Sequence, residues 1–245
     1  MEAHLTHPET LHQTTHGKYI GDFVYGANDG IITTFAVVTG AAGAGLSSGV
    51  IIILGLANLV ADGISMGMSN FLSLRSTRDF QKKQRAIEEK EVETIPEKER
   101  EEVRVVLRRW GVPEHVIPET VAAITSDKKQ WVDLMMREEL NILEDDGDHP
   151  ARHGLATFAA FVVAGLLPLT PYLAAYFGST LPWRALSLSV GATALSLFLI
   201  GAARTRVTGA PWLRSGCEML GVGGLAAAAS YAIGGAVKTL FGIAL

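Results

Sequence analysis

Acidic residues are distributed very unevenly along this chain of 245 residues. Nineteen of the 25 Asp and Glu residues lie between Asp79 and Asp148, and only six lie in all the rest. Outside that stretch there are apolar runs of about 20 residues, long enough to cross the hydrocarbon core of a bilayer as helices. The pattern therefore predicts an integral membrane protein with one water-soluble insert.

The apolar runs give five candidate spans. They cover residues 20–45, 47–74, 153–177, 183–203 and 213–243. Lys and Arg are concentrated after the second run, before the third, and between the fourth and fifth, which indicates the cytoplasmic side. The predicted fold class is all-α, with five transmembrane helices and a cytoplasmic helical insert between spans two and three.

Four domains follow from this assignment. We expect a flexible, His-containing N-terminus at 1–19, transmembrane helices at 20–75, a cytoplasmic helical domain at 76–149 and transmembrane helices at 150–245. Residues 1–19 lack the basic and apolar regions of a cleavable signal peptide. The insert holds 19 acids against 13 Lys and Arg, which argues against nucleic-acid binding. No Walker A loop is present, so transport driven by nucleotide hydrolysis is not indicated.

Polar side chains in the first two spans are the strongest functional signal. Asp29 lies in the first span, and Asn58, Asp62 and Met66 follow i, i+4, i+8 spacing on one face of the second. A carboxylate at mid-bilayer costs at least ~2.5–3.5 kcal/mol, so such a residue indicates function by default. These residues predict a path for a metal ion or a proton, although Asp62 is equally compatible with helix packing.

Three other polar residues in or near the spans allow two interpretations each. Asp22 is compatible with a gate carboxylate or with a helix N-cap. His153 is placed to pass metal into span three, or simply faces water at the interface. Glu218 follows Arg214 by four residues, which favours an i, i+4 ion pair over a role in proton transfer.

The insert is predicted to form a helical bundle. Residues 79–94 are expected to extend span two until Pro96 interrupts the helix. Further helices are predicted at 97–110, ended by Gly111, at 113–125, and from an Asp127 cap through Leu143.

Acids and methionines in these helices have a spacing compatible with a metal site. Glu88 and Glu91 are i, i+3, as are Glu99 and Glu102; the last helix carries Met135, Met136 and Glu139 within one turn. Carboxylates converging in a bundle build di-iron sites, and thioethers favour softer transition metals. The alternative is a solvated face with i, i+4 ion pairs and methionines that fill the core.

Three segments of the chain resemble the vacuolar iron transporter family. They are DGIITTF from Asp29, VADGISMG from Val60 and EMLGVGGLAAAASY from Glu218. The resemblance implies a non-enzymatic homodimer with five spans that exports Fe²⁺, and also Mn²⁺, Zn²⁺ or Co²⁺, from the cytosol in exchange for protons, with no permanently bound cofactor.

The resemblance also assigns residues. It implies that Asp29 and Met66 line the translocation path. The implied cytoplasmic metal ligands are Glu88, Glu91, Glu99, Glu102, Met135, Met136 and Glu139. Asn58 departs from the acid expected in some members; its amide coordinates metal through oxygen but takes up no proton, so ion choice and proton coupling are open. We expect the membrane to be that of a vacuole-type compartment or the bacterial inner membrane, with the N-terminus and the insert on the cytoplasmic side.

Two GxxxG pairs, Gly26/Gly30 and Gly63/Gly67, allow close helix approach, and the first suggests that two copies of span one meet at a twofold axis. Two other functions compete with transport. One is a membrane enzyme with a carboxylate-bridged metal, although the insert lacks the usual Glu-x-x-His pairs. The other is a membrane scaffold with a partner-binding insert.

Overall fold

A computed structural model describes residues 19–142, 149–178 and 184–242, and the regular structure in these ranges is entirely helical. The four histidines predicted to lie in a flexible N-terminus fall outside the described residues. The helices are α1 Ile20–Gly43, α2 Ser48–Thr94, α3 Pro96–Arg109, α4 Ile117–Thr125, α5 Lys128–Glu138, α6 Pro150–Gly165, α7 Thr170–Tyr176, α8 Ala185–Thr208 and α9 Trp212–Phe241.

The chain divides into two compact units. We call residues 1–71 and 151–245 the apolar unit, and residues 72–150 the acidic unit. Helix α2 contributes to both, because it runs without interruption from Ser48 to Thr94. Pro96 follows its end, as expected from the missing backbone donor and the steric restriction that proline imposes.

Four segments of the described residues are long and apolar enough to cross a membrane. They are α2, the α6–α7 segment Pro150–Tyr176, α8 over Ala185–Thr205, and α9. Helix α1 is not among them, since Asp22, Asn28 and Asp29 lie within its first half. The five-span count therefore stays a prediction.

Helix α1 is nevertheless deeply enclosed in the apolar unit. Ala27, Ile31, Thr34 and Val38 are completely buried, and the helix packs against α8 and α9. Phe23 and Tyr25 near its start are exposed. The buried face of the helix does not meet lipid, so it tolerates more polar residues than a lipid-exposed face would.

The third predicted span is a broken helix. Between α6 and α7 lies one 3₁₀ turn, Leu167–Leu169. Pro168 sits in that turn, where its ring and missing N–H interrupt the α-helical hydrogen bonds. The buried hydroxyl of Ser189 in α8 donates to the carbonyl of Pro168 at 2.6 Å, which satisfies an acceptor exposed by the break.

The acidic unit has its own apolar core. It is built from Val92 of α2 together with side chains of α3, α4 and α5, which are Val103, Leu107, Ile117, Val121, Trp131, Val132, Leu134, Met135 and Met136. The predicted Asp127 cap is confirmed, because its carboxylate accepts from the N–H groups of Lys129 and Gln130. Gly111, which has a φ of 78°, follows the end of α3.

The prediction that the last helix of the insert continues through Leu143 is wrong. Helix α5 ends at Glu138, and Glu139 is its C-cap residue. Asn141 then adopts a φ of 53°, which a continuing right-handed helix does not allow. Leu143 itself lies outside the described residues.

The glycines of α1 have a different role from the one expected. A Cβ at Gly26 would lie 2.4 Å from the carbonyl oxygen of Thr157, and one at Gly30 would lie 2.3 Å from that of Phe161. Both glycines therefore face α6 of the same chain. The expectation that they form the contact between two copies of span one is wrong, because that face is already covered.

Candidate metal centre and polar networks

Three glutamates from three helices converge in the acidic unit. Glu88 of α2, Glu99 of α3 and Glu139 at the end of α5 each offer a carboxylate oxygen, and these atoms all lie within 4.8 Å of one another. We call these residues the glutamate trio. Helix geometry explains the placement: Glu88, Glu99 and Glu139 each lie four residues from a core residue, namely Val92, Val103 and Met135. The acids therefore sit beside the apolar core.

Two members of the trio are almost completely enclosed. Glu88 is 3% exposed and Glu99 is 1% exposed, whereas Glu139 is exposed. Glu88 Oε1 and Glu99 Oε2 are buried without a hydrogen-bond partner. Such oxygens are costly unless a proton or a cation compensates them.

The ionisation of the trio reflects this burial. Burial, followed by the charges of Glu99 and Glu139, raises the pKa of Glu88 to about 8. Burial also raises the pKa of Glu99, and the charge of Glu102 adds to this effect. The pKa of Glu139 is raised by partial enclosure of its carboxyl and then by Glu102. Glu88 therefore holds a proton near neutral pH where an isolated glutamate would not.

The other two predicted glutamate ligands flank the trio. Glu102 is close enough to act on the ionisation of Glu99 and Glu139, and it forms an ion pair with Lys98 at 2.9 Å. Glu91 acts electrostatically on Glu88 and Glu139. It also lines an open groove on α2. All five predicted glutamates thus lie in one electrostatic neighbourhood.

The two predicted methionine ligands are core residues. Met135 is 0% exposed and Met136 is 6% exposed, and both pack in the apolar cluster of the acidic unit. Met135 lies one helical turn before Glu139, so its side chain is on the same face of α5. Packing in the core accounts for both residues, and their assignment as ligands stays a prediction.

The donor set of the trio fits a divalent cation. Carboxylate ligands lie about 2.0–2.2 Å from zinc, which sets oxygen–oxygen separations between about 3 and 4.4 Å in one coordination shell. The oxygens of the trio lie within 4.8 Å of one another, so small side-chain rotations suffice to bring them onto one ion. Glu139 is the member of the trio that is exposed to solvent.

A second group of acids lies in the apolar unit between α1 and α2. Asp29 and Asp62 are close enough to interact electrostatically. Asp22 of α1 also meets Asn70 of α2, so the two helices run antiparallel.

Asn58, four residues from Asp62 on α2, has its amide nitrogen buried without a hydrogen-bond partner. Met66 is half-buried on the same face of α2. The structure therefore brings the two predicted aspartates together.

Asp22, His153, Asn70 and Thr157 form a continuous hydrogen-bonded network, which we call the four-residue network. His153 Nδ1 lies 2.5 Å from Asp22 Oδ2. The Asn70 amide donates to Asp22 Oδ1 at 2.7 Å and to Thr157 Oγ1 at 2.8 Å. Thr157 Oγ1 in turn donates to the His153 carbonyl at 3.0 Å.

This network answers two questions that the sequence left open. Asp22 is not an N-cap, because Tyr19 holds that position and makes no side-chain cap. His153 does not simply face water, since its side chain is only 17% exposed. Sequence reasoning missed the pairing because 131 positions separate the two residues. The expected Arg214–Glu218 pair is confirmed at 3.0 Å.

Comparison with known proteins gives a consistent result. The VIT family model matches residues 20–235. Vacuolar iron transporter 1 of Oryza sativa subsp. japonica is 31% identical over 97% of this chain and 92% of its own length. Vacuolar iron transporter 1 of Arabidopsis thaliana is 31% identical over 96% and 92%. The vacuolar iron transporter of Toxoplasma gondii is 34% identical over 94% and 78%.

Proposed function

The chain belongs to the VIT family, and from this premise we propose that it transports Fe²⁺ out of the cytosol across a membrane in exchange for protons. Its relatives are named as transporters and not as enzymes. Neither an oxidase nor a scaffold explains two half-buried aspartates among apolar helices. Mn²⁺, Zn²⁺ and Co²⁺ are secondary candidate ions of the same charge.

The observation that carries the proposal is the glutamate trio. Its two buried acids each leave an oxygen without a partner, and its exposed member gives access to a hydrated ion. In this proposal the acidic unit lies in the cytoplasm and captures scarce metal there. Before metal binds, Glu88 is neutralised by a proton, and the metal ion replaces that proton. The site therefore avoids burying two uncompensated carboxylate charges, which would be costly.

The proposed path through the membrane uses Asp29, Asp62, Met66 and Asn58. A carboxylate in a low-dielectric environment is neutralised either by a metal ion or by a proton. Alternation between these two states gives metal–proton exchange a physical basis. Asn58 contributes a neutral oxygen ligand, so the aspartates carry the protons.

We further propose that the working form is a homodimer in a vacuole-type or bacterial inner membrane. Because α6 covers the glycine face of α1, the contact between subunits must use other surfaces. Exposed apolar side chains are available on α2, α8 and α9, for example Ile53, Leu195 and Leu225. Chemical crosslinking of the protein in native membranes would report the oligomeric state.

Flux measurements in sealed liposomes test the transport proposal. The full chain is reconstituted, a pH gradient is imposed, and Fe²⁺ uptake under reducing conditions is followed with an enclosed chelating dye while a pH dye reports proton movement. We expect metal flux in one direction and proton flux in the other, both dependent on the gradient.

A matched control makes the result specific. Glu218→Gln removes an exposed acid that pairs with Arg214 on the same helix, and it should transport like the unmodified protein. Absence of metal-coupled proton movement with folded, correctly inserted protein, for Fe²⁺ and for the three secondary ions, would refute the proposal.

A further inference from the structure

The four-residue network joins three helices at one end of the apolar unit. Asp22 lies in the first turn of α1, His153 in the first turn of α6, and Asn70 toward the far end of the apolar part of α2. Among the residues that the structure describes, two side chains from other helices bind the Asp22 carboxylate: His153 through Nδ1 and Asn70 through Nδ2. The ring of Tyr19 packs against His153 with centroids 4.8 Å apart.

The same three helices are in backbone contact just beyond the network. A Cβ at Gly67 of α2 would lie 2.8 Å from the carbonyl of Gly154 in α6, and one at Gly26 of α1 would lie 2.4 Å from that of Thr157. Helix α6 therefore holds α1 on one side and α2 on the other. Small residues at such crossings permit close packing, but they do not specify which polar groups meet.

The position of the network relates it to the candidate path. Asp29 follows Asp22 by seven residues on α1, and Asp62 precedes Asn70 by eight on α2. At 1.5 Å per residue the two aspartates lie about 10–12 Å deeper in the bundle. The network thus lies at one end of the α1–α2 seam, and the two aspartates lie further along it.

A buried pair of polar side chains is a poor choice for this position if cohesion is all that is required. The Asp22 and His153 side chains are 13% and 17% exposed, so both lose most of their hydration. Buried pairs seldom stabilise a fold more than apolar residues of similar volume would, although breaking one is costly. A directional, breakable contact is suited to helices that separate and rejoin.

We propose that His153 is a positioning residue that holds Asp22 and thereby keeps the end of the α1–α2–α6 bundle closed over the Asp29–Asp62 pair. The network must part when that end opens. This inference rests on the proposed transport function, since closure matters only if ions pass between α1 and α2.

The test measures closure directly, without metal. In a Cys217→Ser background, Gly21→Cys on α1 and Ala151→Cys on α6 carry spin labels; both positions are exposed. With His153 intact we expect strong dipolar broadening in the EPR spectrum of the reconstituted protein. His153→Leu should weaken it, and the passive decay of a pH gradient across the liposomes should accelerate at least threefold.

Amide substitutions separate positioning from simple support of the fold. His153→Asn places an N–H near the location of Nδ1 and should restore tight coupling and low leak. His153→Gln places its N–H further out and should remain open and leaky. Glu218→Gln, which breaks a pair within one helix, should match the unmodified protein in both readouts.

Several results would overturn the inference. One is equal spectra and equal leak for His153→Leu and the unmodified protein. If His153→Leu does not fold, identical behaviour of the Asn and Gln variants overturns it instead. Loss of metal transport in all proteins, with the EPR response intact, would count against the proposed function and leave the closure role supported.

Discussion

Glu88 and Glu99 in the acidic unit and Asp22 in the apolar unit are carboxylates in similarly enclosed places, yet their surroundings differ. The two glutamates each retain a buried oxygen without a partner, while both oxygens of Asp22 are engaged by side chains from other helices. An unsatisfied carboxylate has a free-energy reason to take up a cation or a proton. A satisfied one has a reason to keep its neighbours in place.

The side chains that pair with these carboxylates differ in the same way. Lys98 reaches the acidic cluster from an exposed position, with its side chain 64% exposed. His153 is enclosed and short, with little freedom to move away. We infer that the groups that neutralise the carboxylates of the acidic unit exchange readily. At the end of the apolar unit, by contrast, His153 stays beside Asp22.

The largest expected effect concerns Asp29. Asp29→Asn removes the charge that alternates between metal and proton, so we expect metal-coupled transport to fall at least 100-fold. Metal binding by the acidic unit should be unchanged, because the two sites lie in different units. Parallel liposome flux and calorimetry on the full chain measure the two quantities. Transport by Asp29→Asn at the unmodified rate would exclude this residue from the exchange step.

Removal of the two buried glutamates should have opposite effects on binding and on stability. Glu88→Gln with Glu99→Gln deletes two anionic ligands, and we expect metal affinity to fall at least 10-fold. The metal-free protein should become more stable at pH 8, because no charge remains to be buried.

Calorimetry and thermal unfolding of the full chain measure these changes. Glu101→Gln is the matched control, since this exposed residue pairs with Arg104 and lies outside the trio. Retained affinity in the double variant would remove the trio as the metal site.

The pH dependence of the acidic unit has a definite sign. Because the pKa of Glu88 is raised from 4.5 to about 8, the folded state holds a proton that the unfolded state releases between these pH values. Stability of the metal-free unit should therefore fall as pH rises from about 4.5 to about 8. Metal affinity should rise over the upper part of the same range, since metal replaces the proton.

Hydrogen exchange of residues 72–150 in the full chain, with and without Zn²⁺, measures this. The Glu88→Gln variant provides the baseline, and its exchange should depend less on pH. Identical pH profiles for the variant and the unmodified protein would show that Glu88 does not hold the proton.

How much of this was predictable differs between the two units. In the acidic unit, Pro96, Gly111 and Asp127 correctly marked three helix boundaries, because local signals determine helix ends. The start of α4 at Ile117 and the end of α5 at Glu138 were missed.

The i, i+3 spacing identified the glutamates of this unit as a group. It did not show that Glu88, Glu99 and Glu139 converge while Glu91 lines a groove, because that depends on how α2, α3 and α5 pack.

In the apolar unit, the polar residues were visible but their partners were not. Asp22 and His153 contact each other only because α6 lies beside α1, a choice that hydropathy does not encode. The GxxxG pattern at Gly26 and Gly30 was likewise read correctly as a close helix contact and assigned to the wrong partner. A small-residue pattern indicates that another helix packs closely against these residues, but it does not identify that helix.

The packing of Gly30 against α6 predicts a smaller effect, on the stability of the fold. Gly30→Ala places a Cβ about 2.3 Å from the carbonyl oxygen of Phe161, so α1 and α6 must separate. We expect a loss of about 1–3 kcal/mol in stability from such overpacking. Gly21→Ala, which meets nothing within 4 Å, is the control. Thermal unfolding in detergent compares them; equal stability would show that the α1–α6 contact yields easily.

The smallest expected effect concerns Lys98. This exposed side chain pairs with a carboxylate of the acidic unit, as the enclosed His153 does with Asp22 in the apolar unit. Its ammonium lies 2.9 Å from Glu102 and 3.9 Å from Glu99, and the neighbouring carboxylate of Glu102 raises its pKa. A cation arriving at the trio must compete with this charge, so Lys98→Gln should increase metal affinity about two- to threefold, an effect of the size expected for exposed ion pairs. The gain should shrink in high salt, which already screens the lysine. Calorimetry on the full chain at low and high ionic strength measures the gain in affinity and its salt dependence. The control is Lys129→Gln, which removes the lysine that pairs with Asp133. A loss of affinity in Lys98→Gln would mean that the lysine holds Glu102 in position for the metal and does not compete with it.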